Sequence, residues 1–310
     1  MSVINKINND SKVEINLNDL ILALWKKKRI ILLVLLISSA SSVSYSLSLP
    51  NVYTSKALLA PVNPEESLSS KLGSLSALGS FTGLGLSSSS APKNQEAIER
   101  IKSFEFFSTH FLPNIKLENI MANIGWLPLE NVIIYDEKLF DKNTNKWVRK
   151  TKFPKKTIPS SQEAFEVYSN ILSIREDKKT SFVTISIEHH SPIVAKKWVD
   201  IIINRINQSM RKNDVKFAED SISYLNIAAQ STDLQSSKEA IVQLLKNQMQ
   251  TLMLASSNDS YVFKIIDPPI ISEEKTKPSR ALISILGTFL GGFFAVLIIL
   301  IQYFRNPSEH

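Results

Sequence analysis

The 310 residues include 36 bases and 29 acids, for a net charge of +7, and no cysteine. Without thiols there is no disulfide framework, cysteine nucleophile or cysteine metal site, although an oxidising compartment is tolerated. Lys26, Lys27, Lys28 and Arg29 form one cluster beside an apolar run, where bases set topology and meet anionic membrane lipid, so no nucleic-acid partner is expected.

The first segment, residues 1–29, is polar to about residue 14 and then carries Ile15, Leu17, Leu20, Ile21, Leu22 and Leu24 up to Trp25. Trp25 reads as an interfacial anchor or as the cytoplasmic start of the helix that follows. Residues 30–49 have no formal charge and reach the roughly 20 residues a helix needs to span a bilayer. Backbone amides in lipid must pair within their own segment, which makes this stretch a transmembrane helix. A competing reading makes the apolar part a signal h-region with Ser38-Ser39-Ala40 as its cleavage site. Between Pro50 and Pro64 only Lys56 is basic, so the positive-inside rule puts residues 1–29 in the cytoplasm and 50–280 outside it. Lys275, Lys277 and Arg280 pull mildly the other way, with Glu273 and Glu274 among them.

Val52 to Ala60 has strand character and is expected to stop at Pro61 and Pro64. Residues 65–91 are low in complexity and rich in Ser and Gly, which predicts a loop. Ile98, Ile101, Phe104, Phe107 and Phe111 form one apolar stripe, which predicts a helix from Gln95 to Phe111. Residues 125–160 read as irregular, basic and proline-punctuated, and Phe165, Tyr168 and Leu172 suggest a short helix. In 181–189 the alternation of Val183, Ile185 and Ile187 predicts a half-buried strand.

Ser191-Pro192 is a helix start, and neither glycine nor proline occurs from Ile193 to Asp267. This predicts a helical extension over about 193–256, in two helices of which the second is the longer. The polar band at 230–240 is expected to project from the core within a helix. Its apolar stripe, including Ile222, Leu225, Leu245, Met249 and Leu252, is too narrow for burial in one domain and points to a like helix of a neighbouring subunit. Tyr261 to Asp267 is the last strand. Pro268, Pro269 and Pro278 then mark the junction with a second apolar helix at 281–304, followed by a cytoplasmic tail at 305–310. If the strands after the first span and before the second are neighbours, they are antiparallel. The expected fold is α/β (α+β): a membrane-proximal base domain with a long protruding helix, anchored by two transmembrane helices.

Little in the chain suggests catalysis. His189 and His190 are adjacent on a strand and point to opposite faces, so they do not share a metal easily; His110 and His310 are isolated. The acidic pairs Glu65-Glu66, Glu176-Asp177 and Glu273-Glu274 sit in charged or loop-like surroundings. Neither a phosphate-binding loop nor a Gly-x-Ser-x-Gly elbow occurs. No enzyme activity, cofactor or metal is expected. The sharper signal is Gly287-x-x-x-Gly291 with Gly292, which gives the second span a flat face for close helix packing; Ser38-x-x-x-Ser42 offers a similar face on the first.

Several stretches carry a resemblance over nearly the whole length. They are Ile15-x-Leu17-x-Asp19-Leu20 with Leu24-Trp25-Lys26, Tyr53-Thr54-Ser55-Lys56-Ala57, and Ile98 with Ser103-x-x-Phe106-Phe107. Further along come Ile187-Glu188-His189-His190-Ser191-Pro192-x-x-Ala195 with Asn204 and Asn207, Ser221-Ile222-x-Tyr224-Leu225, and Met253-Leu254-Ala255. The last are Tyr261 to Pro269 and Leu286-Gly287-x-x-x-x-Gly292. By these the chain resembles the bacterial polysaccharide co-polymerases, the Wzz-type chain-length determinants of O-antigen lipopolysaccharide. It departs from them where Ser272, Glu273, Glu274 and Lys275 fill a usual proline ladder. The resemblance implies a non-enzymatic regulator in the bacterial inner membrane, with both termini cytoplasmic and its bulk in the periplasm. Its implied partners are further copies of itself, in a closed ring, an O-antigen polymerase, and the growing polysaccharide. A capsule or exopolysaccharide export adaptor is the alternative, and a membrane-anchored hydrolase a third.

Overall fold

Alternation along Val183–His189 (β7) buries Val183, Ile185 and Ile187 on one face, as period two requires of a sheet with one side on a core. The structure, a computed structural model, describes residues 24–62, 93–232, 234–257 and 260–305. The predicted loop at 65–91 and most of the two terminal tails lie outside the described residues. Two compact units are present, one holding residues 1–50 and 277–310, the other 51–276.

The larger unit is built on a four-stranded sheet of order β6-β7-β1-β8, where β1 is Tyr53–Pro61, β6 Leu172–Glu176 and β8 Phe263–Asp267. Every neighbouring pair is antiparallel, including the strand after the first apolar helix and the strand before the second. Tyr53 faces His189 across β1–β7, and Leu59 faces Ile265 across β1–β8. Pro61 does not stop β1 but is its last residue, opposite Phe263. Proline has no N–H to offer a ladder, and a strand end tolerates that.

One helix covers the buried face of this sheet. Pro192–Ser231 (α6) starts as the sequence predicts: Ser191 accepts from the Val194 amide at 3.4 Å, and Pro192 occupies the first turn. Trp198, Val199, Ile202, Ile203, Ile206 and Met210 recur on one helical face and are buried. Beside them pack Lys93–Ile101 (α2), Leu117–Met121 (α4) and Ser161–Ile171 (α5). α5 opens with a reciprocal capping box between Ser160 and Glu163.

The structure corrects the expected helix from Gln95 to Phe111. The chain breaks after Ile101, and Ser103 caps a new turn by accepting from the Phe106 amide. The backbone is then α-helical over Phe104–Phe106 (α3), π-helical over Phe107–Phe111, and 3-10 over Leu112–Asn114. This rotation brings Phe106 into the core beside Phe107 and Phe111 and leaves Phe104 41% exposed, edge-on to Phe165. Residues 125–160 are also more ordered than expected. They carry two hairpins, Asn123–Leu127 (β2) with Val132–Tyr135 (β3), and Phe140–Asp141 (β4) with Lys146–Trp147 (β5). Strand β6, directly after α5, has no counterpart among the elements expected from sequence.

The long helical stretch also differs from expectation. α6, at 40 residues, is the longer helix, and Gln235–Ser257 (α7) has 23. The polar band at 230–240 does not run through one helix: α6 ends at Ser231, Thr232 is extended, and α7 packs back along α6. The band is instead divided, with Gln230 and Ser231 ending α6 and Gln235 to Ala240 opening α7. The stripe on α6 therefore meets a helix of its own chain.

The smaller unit is an antiparallel helix pair, Lys28–Ser48 (α1) and Arg280–Arg305 (α8). Both are long and apolar enough to cross a membrane.

Candidate functional site

Two places in the molecule carry the residues singled out by sequence. The first is the seam between α1 and α8. A Cβ on Gly287 would overlap the Ser42 hydroxyl, one on Gly291 would overlap the Ser38 hydroxyl, and one on Gly292 would come 2.9 Å from Leu35 Cδ2. The two four-residue steps run in opposite directions and interlock. Ala295 and Ile299 continue the Gly287–Gly291 row and are both buried. Close approach also lets side chains reach across, and the Ser42 hydroxyl donates to the Ile283 carbonyl at 2.9 Å. Ser38 instead donates to Leu35 in its own helix. At the other end Lys27 Nζ donates to Gln302 Oε1 at 2.9 Å.

The basic cluster stands at the N-terminus of α1, with no acidic residue in the first turn. Helix N-termini carry partial positive charge, so Lys28 and Arg29 are there despite helix electrostatics. Lys26, Lys28 and Arg29 are exposed, and the Lys28 ammonium lies 4.9 Å from the centre of the Trp25 ring.

The second place is the α6–α7 hairpin. Ile222, Leu225, Leu245 and Leu252 are half-buried along it, while Met249 is 56% exposed. Other apolar residues are more open. Phe217 and Tyr224, seven apart on α6, border a groove with Leu244 and Gln248 of α7. Val242, Met249 and Met253 step along α7 on the opposite flank, as helical periodicity dictates. Tyr224 is 72% exposed and Met253 68%. Sequence reasoning does not single out Phe217, Tyr224, Val242 or Met253 as site residues; the seven-residue spacing of the first pair is the available signal.

The junction prolines differ in setting. Pro269 is buried and Pro268 exposed, and the segment they begin is tied to β1, with the Ser55 hydroxyl donating to the Ile270 carbonyl at 2.8 Å. Further on, the Thr276 amide donates to the Val52 carbonyl, while Pro278 lies in the smaller unit just before α8.

His189 is buried and its pKa is pushed down to about 4 by that burial, leaving it neutral. Its Nδ1 accepts from the Ser191 amide, so the proton sits on Nε2 and is donated to the Asn119 carbonyl at 3.0 Å. His190 turns elsewhere, to the Asn51 carbonyl at 2.7 Å. Among the described residues no three His, Asp or Glu side chains converge as a metal site.

A membrane-anchored α+β protein with a long helical hairpin on an antiparallel sheet is what these features define. Residues 13–108 match the family model of the chain length determinant protein, Wzz, and residues 224–304 match the G-rich domain on putative tyrosine kinase. These matches, each over part of the chain, show a resemblance to the chain length determinant, or polysaccharide co-polymerase, family. A full-length bacterial polysaccharide co-polymerase is 16% identical, with 95% of this chain and all of that one aligned at a TM-score of 0.41. A fragment of WzzB, a polysaccharide co-polymerase from Salmonella Typhimurium, is 10% identical, with 73% of this chain and all of the fragment aligned at 0.30. No curated protein matches.

Proposed function

We propose that this protein is a non-enzymatic regulator of polysaccharide chain length that works as a homo-oligomer with the polymerase of lipopolysaccharide O-antigen. In this reading α1 and α8 cross the bacterial inner membrane, both termini are cytoplasmic, and residues 50–280 stand in the periplasm. The match to the chain length determinant model, which takes in the first span and β1, carries the reading, and the G-rich domain match adds the end of α6, all of α7 and the second span.

Physical features support the assembly. Exposed apolar side chains lie on two different flanks of the α6–α7 hairpin, and β8 is an edge strand with Ile265 and Ile266 exposed. Two unlike surfaces favour a heterologous contact, which forms a ring when its rotation closes. The close α1–α8 seam would present the polymerase with one paired unit. Deleting the gene is expected to leave polymer formation intact while broadening the ladder of lipopolysaccharide lengths on a silver-stained gel. Loss of all polymer would instead indicate an enzyme.

A second reading, an adaptor for capsule or exopolysaccharide export, draws on the match at 224–304 to a domain described on putative tyrosine kinases. Purification with a transporter and without a polymerase would favour it.

A further inference from the structure

Between β5 and α5 the chain reads Arg149-Lys150-Thr151-Lys152-Phe153-Pro154-Lys155-Lys156-Thr157-Ile158, with five bases and no acid. Arg149 closes the neck of this loop. Its guanidinium donates to the Thr157 carbonyl at 2.8 Å and the Lys156 carbonyl at 2.6 Å, and grips both Glu163 carboxylate oxygens at 2.7 and 2.9 Å. Within the loop the Thr151 hydroxyl donates to the Lys155 carbonyl, and the Lys155 amide donates to the Lys152 carbonyl. Glu163 is itself held by the capping box of α5. The loop is thus pinned at its base on a helix of the core.

What it presents is unusual for a solvated surface. Phe153 is 98% exposed, and Ile158 is 61% exposed nearby in sequence. Lys150, Lys152, Lys155 and Lys156 flank the ring in sequence and are exposed. Only Lys155 has an acidic neighbour among the described residues, Glu163 at 3.9 Å. An apolar tip among cations is the composition that enters the interface of an anionic bilayer, where the ring reaches the acyl boundary and lysine stems extend back to the headgroups. The pinned neck reduces the ordering cost of contact.

We propose that this loop docks on anionic lipid, as a membrane contact additional to the two spans and independent of the chain-length reading. An acidic glycan is the weaker fit, because it would pair with the lysines but offer no apolar phase to Phe153 and Ile158, which are left exposed. The spans also hold the chain at a bilayer, which raises the effective concentration of lipid around it.

The absence of native cysteine permits a direct test on the full chain. Phe153→Cys, labelled with an environment-sensitive nitrobenzoxadiazole, is reconstituted into vesicles of phosphatidylcholine alone or mixed with phosphatidylglycerol. The expected result is a blue-shifted emission, quenched by doxyl-labelled lipid, only in the anionic vesicles and reversed by high salt. Exchanging the four lysines for Gln should abolish it, each lysine being worth about fivefold in partition. A circular dichroism melt of the same variants separates lost docking from lost folding. Equal emission in both vesicles with no lipid quenching overturns the proposal. So does a blue shift on adding an acidic polysaccharide to neutral vesicles without lipid quenching, which would make the loop a glycan site.

Discussion

Asn207 commits both ends of its side-chain amide to the backbone of Phe263. Its Nδ2 donates to the Phe263 carbonyl at 3.0 Å, and its Oδ1 accepts from the Phe263 amide at 3.0 Å and from the Val262 amide at 2.8 Å. The group is buried, so α6 supplies in the protein interior the partners that the start of β8 would otherwise find in water. Asn207→Ala orphans three backbone groups and is expected to cost about 2–4 kcal/mol. Asn207→Asp should also destabilise, because a carboxylate accepts from the two amides and gives nothing to the carbonyl. Thermal melts of the detergent-solubilised chain measure the loss, and faster hydrogen exchange at Val262 and Phe263 locates it.

The helix seam makes a second prediction. Gly291→Leu must push α8 away from Ser38, and overpacking of this kind costs about 1–3 kcal/mol. Phe289→Leu, on a ring that is 72% exposed in the helix pair, is the control and should leave stability nearly unchanged. Ser42→Ala removes a single bond to the Ile283 carbonyl and should cost about 0.6 kcal/mol, the average for helix-to-helix hydrogen bonds in membranes. Unfolding in mixed micelles ranks the three variants.

How much of this is legible in the sequence depends on what fixes each element. Val183, Ile185 and Ile187, Ser191 with Pro192, and the two uncharged runs all rest on local rules of period, capping and length, and the structure follows them. The break at Ser103 is hidden because Ile98, Ile101, Phe104 and Phe107 keep a helical spacing across it, and only the core decides that Phe106 turns inward. The hairpin β2–β3 is masked by Pro128, although Asn131 takes a positive φ of 51° that suits a tight turn. Strand β6 begins where α5 ends, so Leu172 reads as a third helical position rather than the first of a strand. The length of α7 depends on where the chain doubles back, and packing against α6 sets that point.

Acid sensitivity should fall in two windows. Arg149, by hydrogen bonding, holds the Glu163 carboxylate down to about 2 against an ordinary 4.5. Its folded pKa is below its unfolded one, so its contribution is full above about 4.5 and is lost as pH falls towards 2. His189 is depressed by burial to about 4 from 6.5, so its contribution disappears earlier, as pH drops from 6.5 to 4. Melting temperature against pH should therefore flatten between 6.5 and 4 in His189→Gln, and only below about 4.5 in Glu163→Gln. A Glu163→Gln profile that flattens in the His189 window instead would contradict this assignment.

Sheet register can be read by crosslinking, since the only cysteines present are those introduced. Ala60 and Lys264 are partners across β1–β8, at a separation typical of directly opposed strand residues and within disulfide reach. Ala60→Cys with Lys264→Cys should oxidise readily and appear as a mobility shift on a non-reducing gel. Ala60→Cys with Asp267→Cys should not, because Asp267 pairs with Leu58 across the register shift.

The hairpin flanks give the sharpest test of assembly. If copies meet through unlike surfaces, a charge on either flank should weaken the contact, since an unpaired carboxylate has to be desolvated there. Tyr224→Asp and Met253→Asp sit on exposed positions, so the stability of the monomer should stay within about 0.5 kcal/mol of its original value. Both variants should nevertheless shift to smaller particles in light scattering after gentle solubilisation. Mixing the two then separates the models. In a heterologous ring every junction joins the Tyr224 flank of one copy to the Met253 flank of the next, and it survives only where both flanks are unaltered. A Tyr224→Asp subunit keeps its Met253 flank, and a Met253→Asp subunit keeps its Tyr224 flank, so the two can pair once through those intact surfaces. The expected product of the mixture is a dimer that cannot grow, whereas a symmetric like-to-like contact would leave pairs only within each variant.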